Sequence, residues 1–285
     1  MRYGALLEAL RGISWPARVP ARGMSSGTHV SRLRGATAEF TEYRAYRQGD
    51  DPRRLDWKLL ARADRAFVRI THERATHPTL LVLDSSASMR GPDGATKWER
   101  AREIVVGLAA LALSASDPAG VLVAGAPRAA RPLRARAGTV TDIARAIDDV
   151  TPAGAAPLTP LLKGVRSVSR VVLVTDLLGD EAALRRVAGE LIVRGADVTV
   201  AHVISRGELE PPTGAVLAVD PEQPTQRGTL SRDTRLQYLQ AFETWRRDTA
   251  RGWQAIGARH VEVLDDEPIE RAIRRLVALS PGGAA

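Results

Sequence analysis

Apolar residues recur along this chain in two rhythms. Short unbroken runs at Thr79–Leu83, Gly120–Gly125, Val171–Thr175 and Asp197–Ile204 carry few or no charges and read as strands buried on both faces. Between them lie segments of helical period: Lys97–Ser116 with Ile104, Leu108 and Leu111 on one stripe, then Thr139–Val150, Leu161–Ser167 and Glu181–Arg194. Strand and helix alternate from residue 79 onward. That order predicts an α/β fold: a doubly wound, mostly parallel sheet flanked by helices. The rhythm loosens after Ile204. A short strand is expected at Gly214–Val219 and a long helix over Ser231–Ala255, with Leu236, Leu239, Phe242 and Trp245 on or near one face. The strand Arg259–Leu264 and the helix Ile269–Leu279 close the pattern.

The first residues follow neither rhythm for long. After a short helical stretch at Ala5–Leu10, the breakers Pro16, Pro20, Gly23 and Gly27 predict an extended arm. Farther on, Gly49 permits a tight turn, Leu55–Ala63 can form a short helix, and Phe67–Ile70 alternates as a half-buried strand does. Three divisions are therefore expected: a basic arm over 1–35, a segment over 36–78, and the α/β domain over 79–285.

Charge and composition narrow the function classes. The net charge is +8, and residues 1–78 hold 15 Lys and Arg against 8 Asp and Glu, so nearly all of the excess lies there. No run of five basic residues occurs in that stretch and its arginines alternate with acids, which favours pairing within the protein over a nucleic-acid patch. Cysteine is absent, which excludes disulfides, zinc–thiolate sites and cysteine nucleophiles. No apolar stretch is long enough to span a bilayer, and the start lacks the apolar core and cleavage site of a signal peptide, so a cytoplasmic protein is expected. The five histidines stand at no metal-ligand spacing, and His72 and His77 read as surface residues.

The chemistry concentrates where the strand Thr79–Leu83 ends. The next five residues are Asp84-Ser85-Ser86-Ala87-Ser88. Ligands of open α/β sheets bind just beyond the carboxyl ends of the strands. Asp84, Ser86 and Ser88 would present three hard oxygens from one turn, which suits Mg²⁺. The same residues can equally turn the chain and cap the following helix. A second buried strand, Val171–Thr175, also ends in a carboxylate, Asp176.

The D-x-S-x-S pattern resembles the metal-ion-dependent adhesion site of von Willebrand factor A domains. Over Glu39–Arg62 the chain reads E-F-T-E-Y-R-A-Y-R-Q-G-D-D-P-R-R-L-D-W-K-L-L-A-R. This is similar to the signature of the domain-of-unknown-function family 58, E-F-x-x-x-R-x-Y-x-x-G-D-D-x-R-x-I-D-W-x-x-x-A-R, with Leu55 in place of isoleucine. The resemblance implies a non-enzymatic protein-interaction module. Its Mg²⁺ would be held by Asp84, Ser86, Ser88, Asp176 and a loop threonine, leaving a position open for a partner's carboxylate. A MoxR-type AAA+ ATPase is the implied partner. In this sequence the loop Gly154–Leu158 puts Ala156 where the family carries threonine, and the nearest hydroxyl is Thr159. Either the loop shifts so that Thr159 reaches the ion, or a ligand is lost and affinity falls.

Within the signature segment, Arg44, Tyr46, Gly49, Asp50, Arg53, Asp56, Trp57 and Arg62 are the expected interaction positions. They form either a functional surface or a salt-bridge network docking the segment on the α/β domain, with the Trp57 ring buried.

Enzyme classes find little support. The chain has no G-x-S-x-G elbow, no G-x-x-x-x-G-K-[ST] loop and no G-x-G-x-x-G fingerprint, and Asp84 has no second aspartate two residues on. Two other classes compete. Nucleic-acid binding through the basic N-terminal segment would be steeply salt-dependent, yet aromatic platforms are lacking. A metal-dependent phosphoester hydrolase would need more carboxylates near Asp84.

Overall fold

In the computed structural model the described residues are 3–16, 41–63, 65–71, 76–92, 94, 96–214, 216–223 and 225–278. The elements in chain order are α1 (Gly4–Ala9), β1 (Thr41–Ala45), α2 (Trp57–Ala63), β2 (Phe67–Thr71), β3 (Thr79–Leu83), α3 (Thr96–Ser114), β4 (Ala119–Val123) and β5 (Arg131–Arg134). Then follow α4 (Thr139–Asp148), α5 (Thr159–Lys163), β6 (Arg170–Thr175), α6 (Glu181–Val193), β7 (Asp197–Ile204) and α7 (Arg206–Leu209). The chain closes with β8 (Val216–Val219), β9 (Arg227–Leu230), α8 (Arg232–Ala255), β10 (Arg259–Leu264) and α9 (Ile269–Val277).

The main sheet has six strands in the order β10-β7-β6-β3-β4-β5. All neighbours are parallel except β5, which runs antiparallel to β4. The expected α/β fold with a doubly wound, mostly parallel sheet is the one observed. Strand residues alternate between two apolar layers. Leu81, Leu83, Val121, Val123, Val172 and Val174 face one core with α1, α3, α4 and α9. Leu80, Val82, Val171, Leu173, Val198 and Val200 face the other with α5, α6 and Trp253 of α8. Helices on both faces are what unbroken apolar strands require. The antiparallel edge needs a close backbone approach: a Cβ on Gly120 would stand 2.8 Å from the carbonyl oxygen of Arg131, so only glycine fits beside that irregular register.

Strand order reverses between β3 and β6. The chain adds β4 and β5 on one side of β3 and then returns to lay β6 on the other. The crevice beyond the carboxyl ends of these two strands is the topological switch point of the sheet.

The chain divides into two compact units, residues 1–20 with 77–285, and residues 21–76. This corrects the expected arm over 1–35 in one respect. Residues 3–16 are not an extended arm, because Tyr3, Leu6, Leu10 and Trp15 are buried in the first core. The Tyr3 hydroxyl donates to Asp148 (2.8 Å) and Arg170 donates to the carbonyl of Trp15 (3.0 Å). The arginine stacks over the Trp15 ring at 4.8 Å and pairs with Asp117 (2.8 Å), which also accepts from the His77 backbone (2.7 Å). An amphipathic turn with three large apolar side chains has more to gain by burial than by solvation. The rest of the expected arm lies outside the described residues, as do Glu39, Phe40 and His72 of the segment that follows it.

In the second unit, β1 and β2 pair antiparallel and Leu55 bridges to Val68. Its turns are built by acids. Asp51 accepts from the Arg53 backbone (2.9 Å), and Asp56 caps α2 by accepting from Lys58 and Leu59 (3.1 and 3.0 Å).

Candidate functional site

Asp84 lies just beyond β3, where its backbone N–H bonds to Val174 of β6 (2.9 Å). Asp84 and Asp176 therefore flank the switch point, and both are buried. One Asp84 carboxylate oxygen accepts from the Ser86 backbone (2.8 Å) and the other from the Thr175 hydroxyl (2.6 Å). Ser86 and Ser88 follow on a tight turn that points both hydroxyls the same way, 2.9 Å apart. The turn is braced from the next loop, because Ala87 donates to the carbonyl of Gly154 (2.9 Å) and Ala153 to that of Ser85 (3.0 Å). Ser85 itself is turned away and donates to the carbonyl of Ala124.

Burial, then repulsion from Asp176, raises the Asp84 carboxyl to about 6 despite its donors. A carboxylate held in this way is short of positive charge.

Asp176 has a partner that sequence reasoning missed. Lys97, at the start of α3, is fully buried. Its ammonium sits 2.8 Å from Asp176 and 2.8 Å from Glu208 of α7. Burial alone would lower its pKa, but the two carboxylates outweigh that and hold it above the ordinary value. The signal was present: Lys97 precedes Ala101 by four residues and Ile104 by seven, on the buried stripe of α3. Thr175, which orients Asp84, Glu208, which enters from α7, and Glu222, which enters from a later turn, also went unnoticed. Glu222 accepts from the Ser88 hydroxyl at 3.1 Å across 134 residues of sequence, and no local pattern announces such a contact.

The loop that should carry a threonine carries Ala156, which is buried, and a Cβ on Gly125 would come within 3.3 Å of its methyl. Thr159 opens α5 and is half-buried. Among the described residues it makes no hydrogen bond to Asp84, Ser86, Ser88 or Asp176. The geometry thus brings Asp84, Ser86 and Ser88 together, ties Asp176 to Lys97, and leaves Thr159 out of the hydrogen-bonded group. Among the described residues no three His, Asp or Glu side chains gather as a metal site, so a cation here depends on the serine hydroxyls. The donor set still fits one. It is all oxygen, and adjacent oxygens around an octahedral Mg²⁺ lie about 3 Å apart, close to the separation of the two hydroxyls.

The signature segment forms a local network in its own unit. Arg44 pairs with Asp50 (2.8 Å), which also accepts from the Arg47 backbone (2.8 Å). The Arg44 hydrogen bond, followed by that of Arg47, holds the Asp50 carboxyl below its usual range. Gly49 supplies the left-handed turn at φ 104°. Tyr43 donates to Asp56 (3.2 Å), and the Tyr46 backbone bonds to Ala66 (2.9 Å). Arg53 and Arg62 are exposed. The expectation for Trp57 is corrected, since its ring is 63 % exposed. Among the described residues it opens a seven-residue helix beside a two-stranded sheet, which offers little apolar surface to enclose an indole.

No helix among the described residues is long and apolar enough to cross a membrane. Two histidines that looked isolated meet between β7 and β10: His202 Nδ1 lies 3.2 Å from His260 Nε2, and both are held below their ordinary pKa chiefly by burial.

Among solved structures, the chain is similar to BatB from Bacteroides thetaiotaomicron, with 16 % identity, 70 % of this chain and 96 % of that chain covered, and a TM-score of 0.41. It is also similar to the SpRpn10 VWA domain, with 14 % identity, 74 % and 98 % covered, and a TM-score of 0.37. In sequence it is 28 % identical to the uncharacterized proteins Mb1516 of Mycobacterium bovis and Rv1480 of Mycobacterium tuberculosis, covering 98 % of this chain and 91 % of each of those. The family model described as "Protein of unknown function DUF58" matches residues 42–248, and the chain belongs to that family.

Proposed function

We propose that this protein is a non-enzymatic protein-interaction module whose binding face is the crevice beyond β3 and β6. The observation that carries the reading is the convergence of the Asp84 carboxylate with the Ser86 and Ser88 hydroxyls at the switch point, the hydroxyls 2.9 Å apart. Asp84 is pushed up by burial and by repulsion from Asp176, while the Lys97 ammonium is taken up by Asp176 and Glu208. A site so short of positive charge favours a further cation. Asp84, Ser86 and Ser88 would hold Mg²⁺, which supplies a Lewis-acidic position for a partner's carboxylate when bound. With Ala156 offering no oxygen, affinity is expected to be modest. The partner we propose, from the family resemblance, is a MoxR-type AAA+ ATPase.

Calorimetric titration with Mg²⁺ tests the site, and surface-immobilised binding of a MoxR-type ATPase with Mg²⁺ or with EDTA tests the partner. Saturable Mg²⁺ binding that Asp84→Ala abolishes, with ATPase binding lost in EDTA and in the variant, is the expected result. Parent-like Mg²⁺ affinity in Asp84→Ala would rule the site out. Equal ATPase binding in EDTA would rule out a metal-mediated contact.

A further inference from the structure

The crevice receives one side chain from a distant part of the chain. β8 and β9 form a two-stranded antiparallel hairpin. Its flanks are solvent-facing, with Leu217 59 % and Val219 44 % exposed. The hairpin buries little of its own, yet hydrogen bonds brace the described residues of its tip. Asp220 accepts from the backbones of Glu222 (2.8 Å) and Gln223 (3.0 Å), its own N–H bonds to Gln226 (3.1 Å), and Gln226 bonds back to Gln223 (2.8 Å). This turn aims Glu222 at the buried Ser88 hydroxyl, 3.1 Å away.

A hydrogen bond to one serine is a poor reason to bring a carboxylate here. Glu222 is an acid brought to a turn that already carries Asp84, and a shared cation would offset the like charge. The spacing is that of a shared cation. Ser86 Oγ to Ser88 Oγ is 2.9 Å and Ser88 Oγ to Glu222 Oε1 is 3.1 Å, both close to the edge of a Mg²⁺ octahedron, about 3 Å. Ala156 removes one oxygen from the loop on which the family carries a threonine, and Glu222 brings one in.

We infer that Glu222 is a ligand of the cation held by Asp84, Ser86 and Ser88, delivered by the tip of the β8–β9 hairpin. This rests on reading Asp84, Ser86 and Ser88 as a Mg²⁺ site. It adds a charged ligand to that site from within the chain. A partner's carboxylate then competes with Glu222 for the ion, and binding the partner releases the hairpin tip.

Mg²⁺ titration calorimetry on the full chain tests the assignment, using the parent, Glu222→Gln and Asp84→Ala. A parallel tryptic digest with and without Mg²⁺ follows cleavage after Arg227. Glu222→Gln changes a hairpin tip and leaves both cores untouched, and an unshifted melting temperature without metal verifies this. Loss of one anionic ligand should weaken Mg²⁺ binding about tenfold or more. Mg²⁺ should slow cleavage after Arg227 in the parent and leave the rate unchanged in Glu222→Gln. Parent-like affinity in Glu222→Gln, with binding abolished in Asp84→Ala, overturns the Glu222 assignment alone and leaves the site standing. A parent that shows neither Mg²⁺ heat nor protection overturns both.

Discussion

Asp84 is the residue at which burial and charge meet most sharply. Its folded carboxyl titrates at about 6 rather than the ordinary 3.8, so between those values the folded chain holds a proton that the unfolded chain releases. Stability without metal must therefore fall as pH rises from about 4 to about 6, by about 3 kcal/mol for this group. Asp84→Asn cannot ionise. Relative to the parent it should gain stability across that window and hold the gain above it, and denaturant titrations at pH 4 and pH 7 measure the difference. A constant offset between the two proteins would show that Asp84 ionises normally. Trp57 makes the opposite case. Its ring is mostly exposed, so Trp57→Ala should shift stability by less than about 1 kcal/mol, whereas Asp56→Ala, which uncaps α2, should cost about 1 kcal/mol. Thermal melts of the two variants give the order directly.

At the scale of elements, the start of α3 holds the strand ends in place. Lys97 joins Asp176 after β6 to Glu208 of α7, while Thr96 donates to Asp265 after β10 (2.6 Å) and Arg100 reaches the carbonyls of Asp265 and Glu267. Lys97→Met would leave the buried Asp176 and the half-buried Glu208 carboxylates facing each other without a cation. It should cost about 3–5 kcal/mol, the usual penalty for breaking a buried pair from one side, and equilibrium unfolding in urea measures that cost. A variant within 1 kcal/mol of the parent would mean that the pair is dispensable. The same element shows what a sequence can and cannot disclose. The apolar runs of β3, β4, β6 and β7 and the stripe of α3 are local periodicities, so the alternation of strands and helices and the fold class were legible, as were the acids at the ends of β3 and β6. The Lys97–Glu208 and Ser88–Glu222 contacts span 111 and 134 residues. They come from tertiary closure, which leaves no repeat to read. β9 escaped notice for a related reason, since Arg227–Leu230 is exposed and carries no apolar alternation.

On the scale of the whole molecule, residues 21–76 are a separate unit interrupting another. The first core already contains Leu6, Leu10 and Trp15 before the interruption and resumes with β3 after it. On the far side of the break the chain is gripped at once. Arg170 holds the Trp15 carbonyl and Asp117, and Asp117 holds the backbone of His77. One ion pair thus anchors both the departing and the returning strand of chain. Bridging two ends that are already fixed costs little loop-closure entropy, because that cost grows only slowly with length. The unit between them has the standing of a cassette. Replacing residues 18–75 with a short Gly/Ser linker should leave a protein that unfolds cooperatively and still titrates with Mg²⁺ at the switch point, while aggregation or loss of a cooperative melt would show that the sheet depends on the insert. If the excised protein folds, a different small domain could be spliced between Trp15 and His77 without changing any residue of the crevice.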